Sequence, residues 1–323
     1  MKLSHSAQAI VDMKVLIVCH KYLRDKNFSI QNNWAFIYEQ SKSLKNFGVD
    51  IDIFMTEGKG LLGYLRNLKP LNRKIRSNNY DLVHAHYGLC GFIAILQRRC
   101  PVIISFIGSD INLKTHRIIS KIAMRFSAYN IFVEKKLAQI VKAKNNFSII
   151  PFGVDLNTFY FKDKLKCRRK MNLDTTANIA LFPSSASRKV KNFALANKAI
   201  QMVGGIDIIQ MGCGYTREEV NLLFNACDFL IITSFSEGSP QVVKEAMACN
   251  CPIVSTDVGD VKNIIENVRG CYLTTFDPKN VADKVEKVIT LKERTNGRKK
   301  IEHLDLSIIA RKIIEIYKRT KRT

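Results

Sequence analysis

Two carboxylates, Glu237 and Glu245, bracket a polar loop and the first turns of a predicted helix. The loop follows the apolar run DFLIITS, and the helix VVKEAMAC leads into a second apolar run, PIVST. Backbone N–H groups at the start of a helix attract anions, and acids beside them can accept hydrogen bonds from hydroxyl groups. These residue types in this order predict a site for a ligand that carries both phosphate and sugar hydroxyls.

The start of this helix is indicated by Ser239 and Pro240. Serine is a favoured N-cap, and proline fits the first helical position because the N–H that it lacks would have no partner there. A strand, a polar loop, a helix and a strand make one unit of a parallel sheet. The polar loop is therefore expected at the carboxyl end of a buried strand.

Other polar residues also follow predicted strands. They are His84 and His86 in YDLVHAHYG, the turn Gly108-Ser109-Asp110 in PVIISFIGSD, and Arg188, Lys189 and Lys191 after NIALFPS. Ligands of open parallel sheets bind beyond the carboxyl ends of the strands, so we expect these side chains at the ligand-binding edges. His84 and His86 are two apart in a strand and point to one side, as two metal ligands would, but no third ligand is evident.

The elements that must position these residues alternate between strand and helix in both halves of the chain. MKVLIVCH and VDIDIFMT are strands of the first half, and NIALFPS and IDIIQMG are strands of the second half. This alternation predicts the α/β class with two Rossmann-like, doubly wound parallel-sheet domains. Two such domains with their ligand edges facing each other would enclose a central cleft.

The predicted domain boundaries are 1–160 and 161–323. The polar, basic stretch 161–176 is the expected hinge. The last segment, LDLSIIARKIIEIYKRTKRT, has the pattern of an amphipathic basic helix over about residues 305–320, which could pack back on the N-terminal domain.

Composition narrows the class of protein. A hydrophobic fraction of 46% over 323 residues fits a globular chain, and no apolar run approaches the roughly 18 residues that cross a bilayer. The first twelve residues do not resemble a signal peptide. Nine scattered cysteines favour free thiols in a reducing compartment. The net charge of +23 fits nucleic acid, an anionic membrane surface, phosphorylated substrates, or simply a lysine-rich coding bias.

Four motifs in order point to a family. EGSPQVVKEAMACNCPIVSTDVG resembles the E-x7-E segment of the family-four glycosyltransferases, and DLVHAHYG, PVIISFIGSDI and IIPFGVDLNTF are similar to three further motifs of that family. The resemblance covers about Met13 to Glu315 and implies the GT-B fold. It is nearest to bacterial members that build surface polysaccharides such as teichuronic acid and lipopolysaccharide.

The resemblance implies roles for the residues around the E-x7-E segment. Glu245 would hold the ribose of a nucleotide, and Glu237 would lie beside the donor sugar and its phosphates. The backbone N–H groups of Gly238, Ser239 and Gln241 would bind sugar hydroxyls or the distal phosphate. Lys191, with Arg188 or Lys189, would supply positive charge to the pyrophosphate. Tyr215 is the candidate for stacking on the base.

Two positions depart from the family pattern. The usual arginine after the first strand of the second domain is absent, because that strand ends in Pro183-Ser184-Ser185. Many relatives carry histidine immediately before Gly108, where this chain has Ile107. We expect His86, Gly108, Ser109 and Asp110 to line the cleft from the N-terminal domain, with His86 near the space of the missing histidine.

The implied reaction is a retaining transfer from a nucleotide sugar to a glycan or polyprenyl-linked acceptor, with no cofactor and no metal. The acceptor would meet the loop 27–33, including Gln31 and Asn32. It would also meet the basic run LKTHRIISKIAMRF, whose basic and apolar residues recur at helical spacing and could touch an anionic membrane. The expected location is the cytoplasm, peripheral on the inner face of the cell membrane.

Other functions stay open at this point. One is a non-catalytic nucleotide-sugar or glycan-binding protein of the same fold, favoured by Ile107 and the displaced basic residues. Another is a nucleotide-sugar epimerase or a phosphorylase of the GT-B fold. We expect no nucleic-acid partner, because that possibility rests on charge alone, without a motif that interleaves aromatic and basic residues.

Overall fold

The computed structural model describes residues 12–21, 30, 34–212 and 214–321. They form two compact units, one that runs to Phe152 and resumes at Leu306, and one that comprises Gly153–Asp305. The domain boundary that was predicted after residue 160 therefore lies earlier, at Phe152–Gly153. The physical reason is that the next residues already belong to the second unit: the Val154 N–H donates to the Leu304 carbonyl at 2.9 Å, and the Phe159 ring packs edge-on against Phe224.

The first unit contains a six-stranded parallel sheet in the order β2-β1-β3-β4-β5-β6. Its strands are β1 (Met13–His20), β2 (Val49–Thr56), β3 (Leu82–His86), β4 (Val102–Phe106), β5 (Tyr129–Phe132) and β6 (Phe147–Ile149). Its helices are α1 (Ala35–Asn46), α2 (Gly60–Leu65), α3 (Leu68–Arg76), α4 (Gly88–Ile95), α5 (Ser109–Asn112), α6 (Lys114–Phe126) and α7 (Lys135–Val141).

The second unit contains a five-stranded parallel sheet in the order β11-β10-β9-β7-β8. Its strands are β7 (Asn178–Phe182), β8 (Ile206–Gln210), β9 (Phe229–Ile232), β10 (Ile253–Thr256) and β11 (Cys271–Thr274). Its helices are α8 (Lys164–Lys170), α9 (Phe193–Val203), α10 (Arg217–Ala226), α11 (Gln241–Ala248), α12 (Val261–Ile265), α13 (Pro278–Leu291) and α14 (Gly297–Ile301). The predicted class, two parallel-sheet α/β domains, is confirmed.

Each unit has its own apolar core. Leu16, Val83 and Ile104 pack together in the first unit, and Ala180, Phe229 and Val254 pack together in the second. A parallel sheet is covered on both faces, which is why its inner strands read as nearly continuous apolar runs. Among the residues that the structure describes, no helix is both long and apolar enough to cross a membrane.

The last helix, α15 (Leu306–Thr320), returns to the first unit. The Tyr317 hydroxyl is buried and lies 2.6 Å from Nδ1 of His84, and the Arg311 guanidinium lies over the Phe47 ring. This helix therefore packs on the N-terminal half of the chain, as was predicted for about residues 305–320, although the predicted range 161–323 counted it with the second domain.

The stretch 161–176, which was predicted to be a hinge, is folded into the second unit. It contains α8, whose Arg168 side chain is buried and donates to the carbonyls of Ala226 and Ala177 at 2.9 and 2.8 Å. Arg168 also forms a 2.9 Å ion pair with Asp228. The basic composition of this stretch reflects a buried arginine and a solvated helix face, so the hinge prediction was wrong.

Candidate functional site

The carboxyl edge of the second sheet brings Lys191 and Glu237 together. Nζ of Lys191 lies 2.5 Å from Oε1 of Glu237, and the Ser234 hydroxyl donates to the same oxygen at 2.7 Å. Thr233 at the end of β9 donates to the Asn192 carbonyl at 2.8 Å, which ties this edge to the loop after β7. Both charged side chains are largely shielded from solvent, so this pair presents a fixed arrangement of opposite charges.

Arg188 and Lys189 lie on the same loop but face solvent. Lys189 begins a short 3₁₀ turn that ends at Lys191. Neither Arg188 nor Lys189 makes an ion pair with another residue in the described part of the chain. The loop thus carries one paired cation and two exposed ones.

Glu245 lies in α11 and is only 3% exposed. Its Oε1 accepts from Nη2 of Arg217 at 2.5 Å, and the Arg217 guanidinium lies 4.7 Å above the Phe159 ring. The sequence analysis did not identify this partner. Arg217 is the first residue of α10, and the capping box of Thr216 and Glu219 that starts this helix is the only local signal that fixes its place.

Tyr215 lies two residues before Arg217, in the loop that follows β8. It is half-buried. Tyr215 and Arg217, the partner of Glu245, therefore lie two residues apart where the loop after β8 leads into α10.

The loop before α11 differs in one respect from its prediction. The helix begins at Gln241 with Pro240 as its N-cap residue, and no side chain caps it. The Ser239 hydroxyl donates instead to Oδ2 of Asp260 at 2.6 Å, so the prediction that Ser239 caps the helix was wrong. The side-chain amide of Gln241 donates through Nε2 to the Gly153 carbonyl.

In the first unit, His84 and His86 lie at the carboxyl end of β3 and have different surroundings. Both nitrogens of His84 are engaged, Nδ1 with Tyr317 at 2.6 Å and Nε2 with Ser105 at 2.8 Å. Burial lowers the pKa of His84 well below its ordinary value, with a further contribution from His86. The two histidines therefore do not form the metal-ligand pair that their spacing would allow.

His86 is 1% exposed, and neither of its ring nitrogens has a hydrogen-bond partner among the described residues. Burial lowers the pKa of His86 to about 3, so its imidazole is neutral at physiological pH. Its ring lies 4.4 Å from the His84 ring and stacks on Phe152. A buried polar group without a partner is unfavourable by about 1–3 kcal/mol, which makes His86 a candidate for contact with a ligand.

His86 lines a cavity of about 410 Å³ within the first unit. Six of the described residues that line it carry aromatic or imidazole rings, and the others include Lys59, Ile107, Ser109 and Leu113. The rings belong to His20, Trp34, Tyr64, His86, Tyr87 and His116. A cavity of this size and composition suits a sugar ring, whose faces are apolar and whose rim is polar.

The turn after β4 places only part of the predicted set at this cavity. Ser109 and Ile107 line it, and Gly108 has a φ of 131°, which a residue with a side chain rarely adopts. Asp110 is fully buried and accepts from the backbone N–H groups of Gly88 and Gly108 at 3.0 and 2.9 Å. The prediction that Asp110 lines the cleft was therefore wrong. Asp110 is buried and holds the backbone of the turn in place.

The predicted acceptor-binding residues Gln31 and Asn32 lie outside the described residues. The basic run that was predicted beside them forms α6. One face of α6 is exposed and interleaves apolar with basic residues: Lys114, Ile118, Lys121, Ile122, Arg125 and Phe126. Ile118 and Phe126 are 66% and 68% exposed, which is unusual for such large apolar side chains.

Two family models match the chain, one on each unit. Residues 14–158 match the model described as Glycosyltransferase Family 4, and residues 177–291 match the model described as Glycosyl transferases group 1.

Two relatives illustrate the range of similarity. The chain is 25% identical to a protein of Bacillus subtilis (strain 168) named as a teichuronic acid biosynthesis glycosyltransferase, TuaC, over 57% of this chain and 55% of that protein. It thus spans little more than half of TuaC. It is 22% identical to the N,N'-diacetylbacillosaminyl-diphospho-undecaprenol alpha-1,3-N-acetylgalactosaminyltransferase of Campylobacter jejuni, over 98% of this chain and 97% of that enzyme.

Solved structures share the fold at low identity. A sucrose-phosphate synthase from Thermosynechococcus elongatus superposes with a TM-score of 0.81 at 14% identity, over 95% of this chain and 98% of that one. HepE of Anabaena, in complex with UDP and glucose, gives 0.73 at 16% identity, over 95% and 100%. The two family models together match most of the chain, one on each parallel-sheet domain, and the chain therefore belongs to the glycosyltransferases of the GT-B fold.

Proposed function

We propose that this protein is a retaining glycosyltransferase that moves a sugar from a nucleotide-sugar donor to a glycan or lipid-linked acceptor in the synthesis of a cell-surface polysaccharide. The observation that carries the proposal is the pair of ion-paired carboxylates at one sheet edge, Glu237 with Lys191 and Glu245 with Arg217. Relatives named for teichuronic acid synthesis and for a diphospho-undecaprenol acceptor support it.

In this proposal the second unit binds the donor. Arg217 occupies Oε1 of Glu245 and orients the carboxylate, which leaves Oε2 to accept from a ribose hydroxyl. The N–H groups of Gly238, Ser239 and Gln241, at the start of α11, would donate to the distal phosphate or to sugar hydroxyls. Tyr215, in the loop that leads into α10, would pack on the base.

Lys191 and Arg188 would stabilise the negative charge that develops on the departing diphosphate. Glu237 would hold the Lys191 ammonium in place and accept from a hydroxyl of the donor sugar. The bond from the anomeric carbon to the phosphate oxygen breaks while the bond to the acceptor oxygen forms on the same face. The acceptor proton passes to the phosphate oxygen, so the step needs no metal and no further cofactor.

The acceptor would bind in the cavity of the first unit. Its aromatic walls suit a sugar ring, and among the described residues Lys59 is the one ammonium group in its lining. A face of α6 with exposed Ile118 and Phe126 beside Lys121 and Arg125 would rest on an anionic leaflet, where a lipid-linked acceptor is found. We accordingly propose a peripheral position on the inner face of the cell membrane.

The donor assignment is tested by thermal stabilisation with a panel of UDP-, GDP- and CMP-linked sugars. A ligand present at 100 times its Kd should stabilise the native state by about 2.7 kcal/mol. Glu245→Ala should abolish the shift, because the ribose hydroxyls lose their acceptor. Glu286→Ala, which removes an exposed carboxylate of α13, is the matched control and should leave the shift unchanged.

A non-catalytic binding protein is the second candidate, because Ile107 lines the cavity at the position where relatives carry histidine. The two candidates differ in one result. The wild-type protein should transfer radiolabelled sugar from the stabilising donor to lipid-linked glycans in membrane extracts. Donor binding without any transfer would favour the non-catalytic protein.

A further inference from the structure

The buried side chains of Lys244 and Asp260 and the half-buried side chain of Ser239 form a polar network at the loop that precedes α11. Lys244 is fully buried, and its Nζ donates to the Ser239 hydroxyl at 2.6 Å. The Ser239 hydroxyl in turn donates to Oδ2 of Asp260 at 2.6 Å, and Lys244 lies 4.0 Å from the same oxygen. The network joins the loop after β9, the second turn of α11 and the loop after β10.

The network is costly for a purely structural element. A buried ion pair gains little over apolar side chains of similar size, because both charges lose their hydration. Burial lowers the pKa of Lys244 and raises the pKa of Asp260, and the charge of each partner counters the shift of the other. Oδ1 of Asp260 is buried and has no hydrogen-bond partner within the described chain. Apolar residues would fill this space more favourably, so we infer that the network serves to fix the geometry of the loop.

The backbone around the network is also tightly constrained. Gly259 has a φ of 58°, and a Cβ atom placed on it would lie 2.1 Å from the Gly238 carbonyl oxygen. The loops after β9 and β10 therefore touch through backbone atoms. The Ser239 side chain, one residue further along, is held between Lys244 and Asp260. The segment Gly238–Gln241 is thus fixed at two successive residues.

Lys244 also lies near the amino end of α11, where a positive charge is unfavourable to the helix dipole. The same charge would favour an anion at the loop. If the Lys244 charge is removed, Asp260 becomes a buried carboxyl without its counter-charge beneath an anion-binding segment. If the Asp260 charge is removed, the remaining buried charge is positive. The two changes therefore have opposite electrostatic consequences for a bound diphosphate.

We propose that Lys244 and Asp260 are positioning residues that hold Ser239, and with it the N–H groups of Gly238–Gln241, in the orientation that binds the diphosphate of the donor. This inference rests on the proposed donor site. In this proposal the Ser239 hydroxyl binds Lys244 and Asp260 and not the ligand. Lys244 acts by holding the loop and does not contact the substrate.

The first test measures amide hydrogen exchange in the ligand-free protein. Ser239→Ala keeps both charges and removes only the link between them, so it should speed exchange about tenfold in peptides that cover 234–248 while exchange elsewhere stays the same. Lys244→Met should have the same local effect. Lys287→Met and Asp283→Asn alter an exposed Lys–Asp pair on α13 and serve as matched controls without effect.

The second test measures the Kd of UDP, GDP and CDP by calorimetry. For the diphosphate that binds the wild type most tightly, Lys244→Met should weaken binding at least about tenfold, and Asp260→Asn should weaken it clearly less. The double variant Lys244→Met/Asp260→Asn should recover part of the loss. A merely structural role would give equal losses for the two single variants.

Unchanged exchange over 234–248 in both Ser239→Ala and Lys244→Met would overturn the proposal, as would equal losses of affinity in Lys244→Met and Asp260→Asn. The outcome is separable from that of the proposed function. Faster local exchange together with a wild-type protein that transfers no sugar would leave the positioning network in place and remove the catalytic role.

Discussion

The buried His86 side chain should lower the stability of the protein while it serves the proposed acceptor site. Both of its ring nitrogens are buried without a partner among the described residues, whereas both nitrogens of its neighbour His84 are hydrogen-bonded. Burying a polar group without a partner destabilises a protein, and removing such a group can be neutral or stabilising. The two histidines should therefore respond in opposite ways to the same substitution.

We predict that His86→Phe maintains or raises the melting temperature but lowers transfer to the acceptor. His84→Phe is the matched control and should lower the melting temperature, because it leaves Tyr317 and Ser105 without a partner at a cost of about 1–3 kcal/mol. Calorimetry gives the stabilities, and acceptor KM gives the function. A His86→Phe protein with wild-type KM and kcat would remove His86 from the acceptor site.

The two histidines also predict how stability depends on pH. Their pKa values lie below the ordinary 6.5, to about 3 for His86, so the unfolded chain binds more protons than the native state in this window. Stability should therefore fall as pH drops below about 6.5, by up to about 1.4 kcal/mol per pH unit for each histidine.

Asp110 has the opposite effect on the pH dependence of stability, because burial raises its pKa from 3.8 to about 6. This single group does not cancel the contribution of the two histidines. Denaturant unfolding between pH 7 and 4.5 measures the slope, and His86→Phe should reduce it. A slope identical in the wild type and in His86→Phe would contradict this assignment.

At the residue scale, the sequence could indicate which residues lie at the edges of the sheets, but not which side chains they contact. Glu245 follows from its motif, yet its ion pair with Arg217 joins two helices that are separated by β9 and a loop. His84 and His86 look equivalent in the sequence, and they differ because Tyr317 on the last helix and Ser105 on β4 hydrogen-bond only to His84. Ser239 has the local signature of an N-cap, but the buried Asp260 offers its hydroxyl a stronger acceptor.

Among the elements, α6 has the most unusual surface. Its first turn has no acidic residue, and Ile118, Ile122 and Phe126 are exposed on the face that also carries Lys121 and Arg125. Each basic residue near an anionic leaflet contributes on the order of 1 kcal/mol, and exposed apolar side chains add burial in the interface. The pattern favours attachment to a membrane surface over random solvent exposure.

We predict that Ile118→Ser/Phe126→Ser weakens sedimentation with vesicles of anionic lipid, and that the wild type binds neutral vesicles much less. Leu165→Ser provides the control, because Leu165 is an exposed apolar residue on the basic helix α8 of the other unit. Added salt should reduce wild-type binding, because the charge contribution is screened. Binding that does not depend on anionic lipid would contradict the membrane role of α6.

Sequence patterns were informative about strands and less so about short basic segments. β1 is an apolar run that ends in polar residues, and it forms where predicted because an inner strand of a parallel sheet is buried on both faces. β2 also forms where predicted, although it is an edge strand that contains Asp50 and Asp52. The basic stretch 161–176 has the composition of a linker, but the Arg168 side chain donates to four backbone carbonyls, pairs with Asp228 and becomes part of the core. Composition alone cannot reveal such distant partners.

At the scale of the whole molecule, the first and the last described residues both belong to the first unit. The second unit lies between Phe152 and Leu306, and the last helix completes the first unit, where Ser43 donates to the Leu306 carbonyl at 3.1 Å. Tyr317 is fully buried there and reaches His84 beneath the cavity. The stability of the first unit should therefore depend on the last residues of the described chain, and that of the second unit should not.

We predict that Tyr317→Phe destabilises the first unit selectively. His84 loses its Nδ1 partner, which costs about 1–3 kcal/mol, whereas the proposed donor site in Gly153–Asp305 keeps all of its contacts. Hydrogen exchange should accelerate in β3 and α1 but not in β9 or α11, and nucleotide-sugar affinity should stay at the wild-type value. Tyr272→Phe, on β11 of the second unit, is the matched control with no expected change in the first unit. Faster exchange in both units, or a loss of donor affinity in Tyr317→Phe, would show that the two units do not unfold independently.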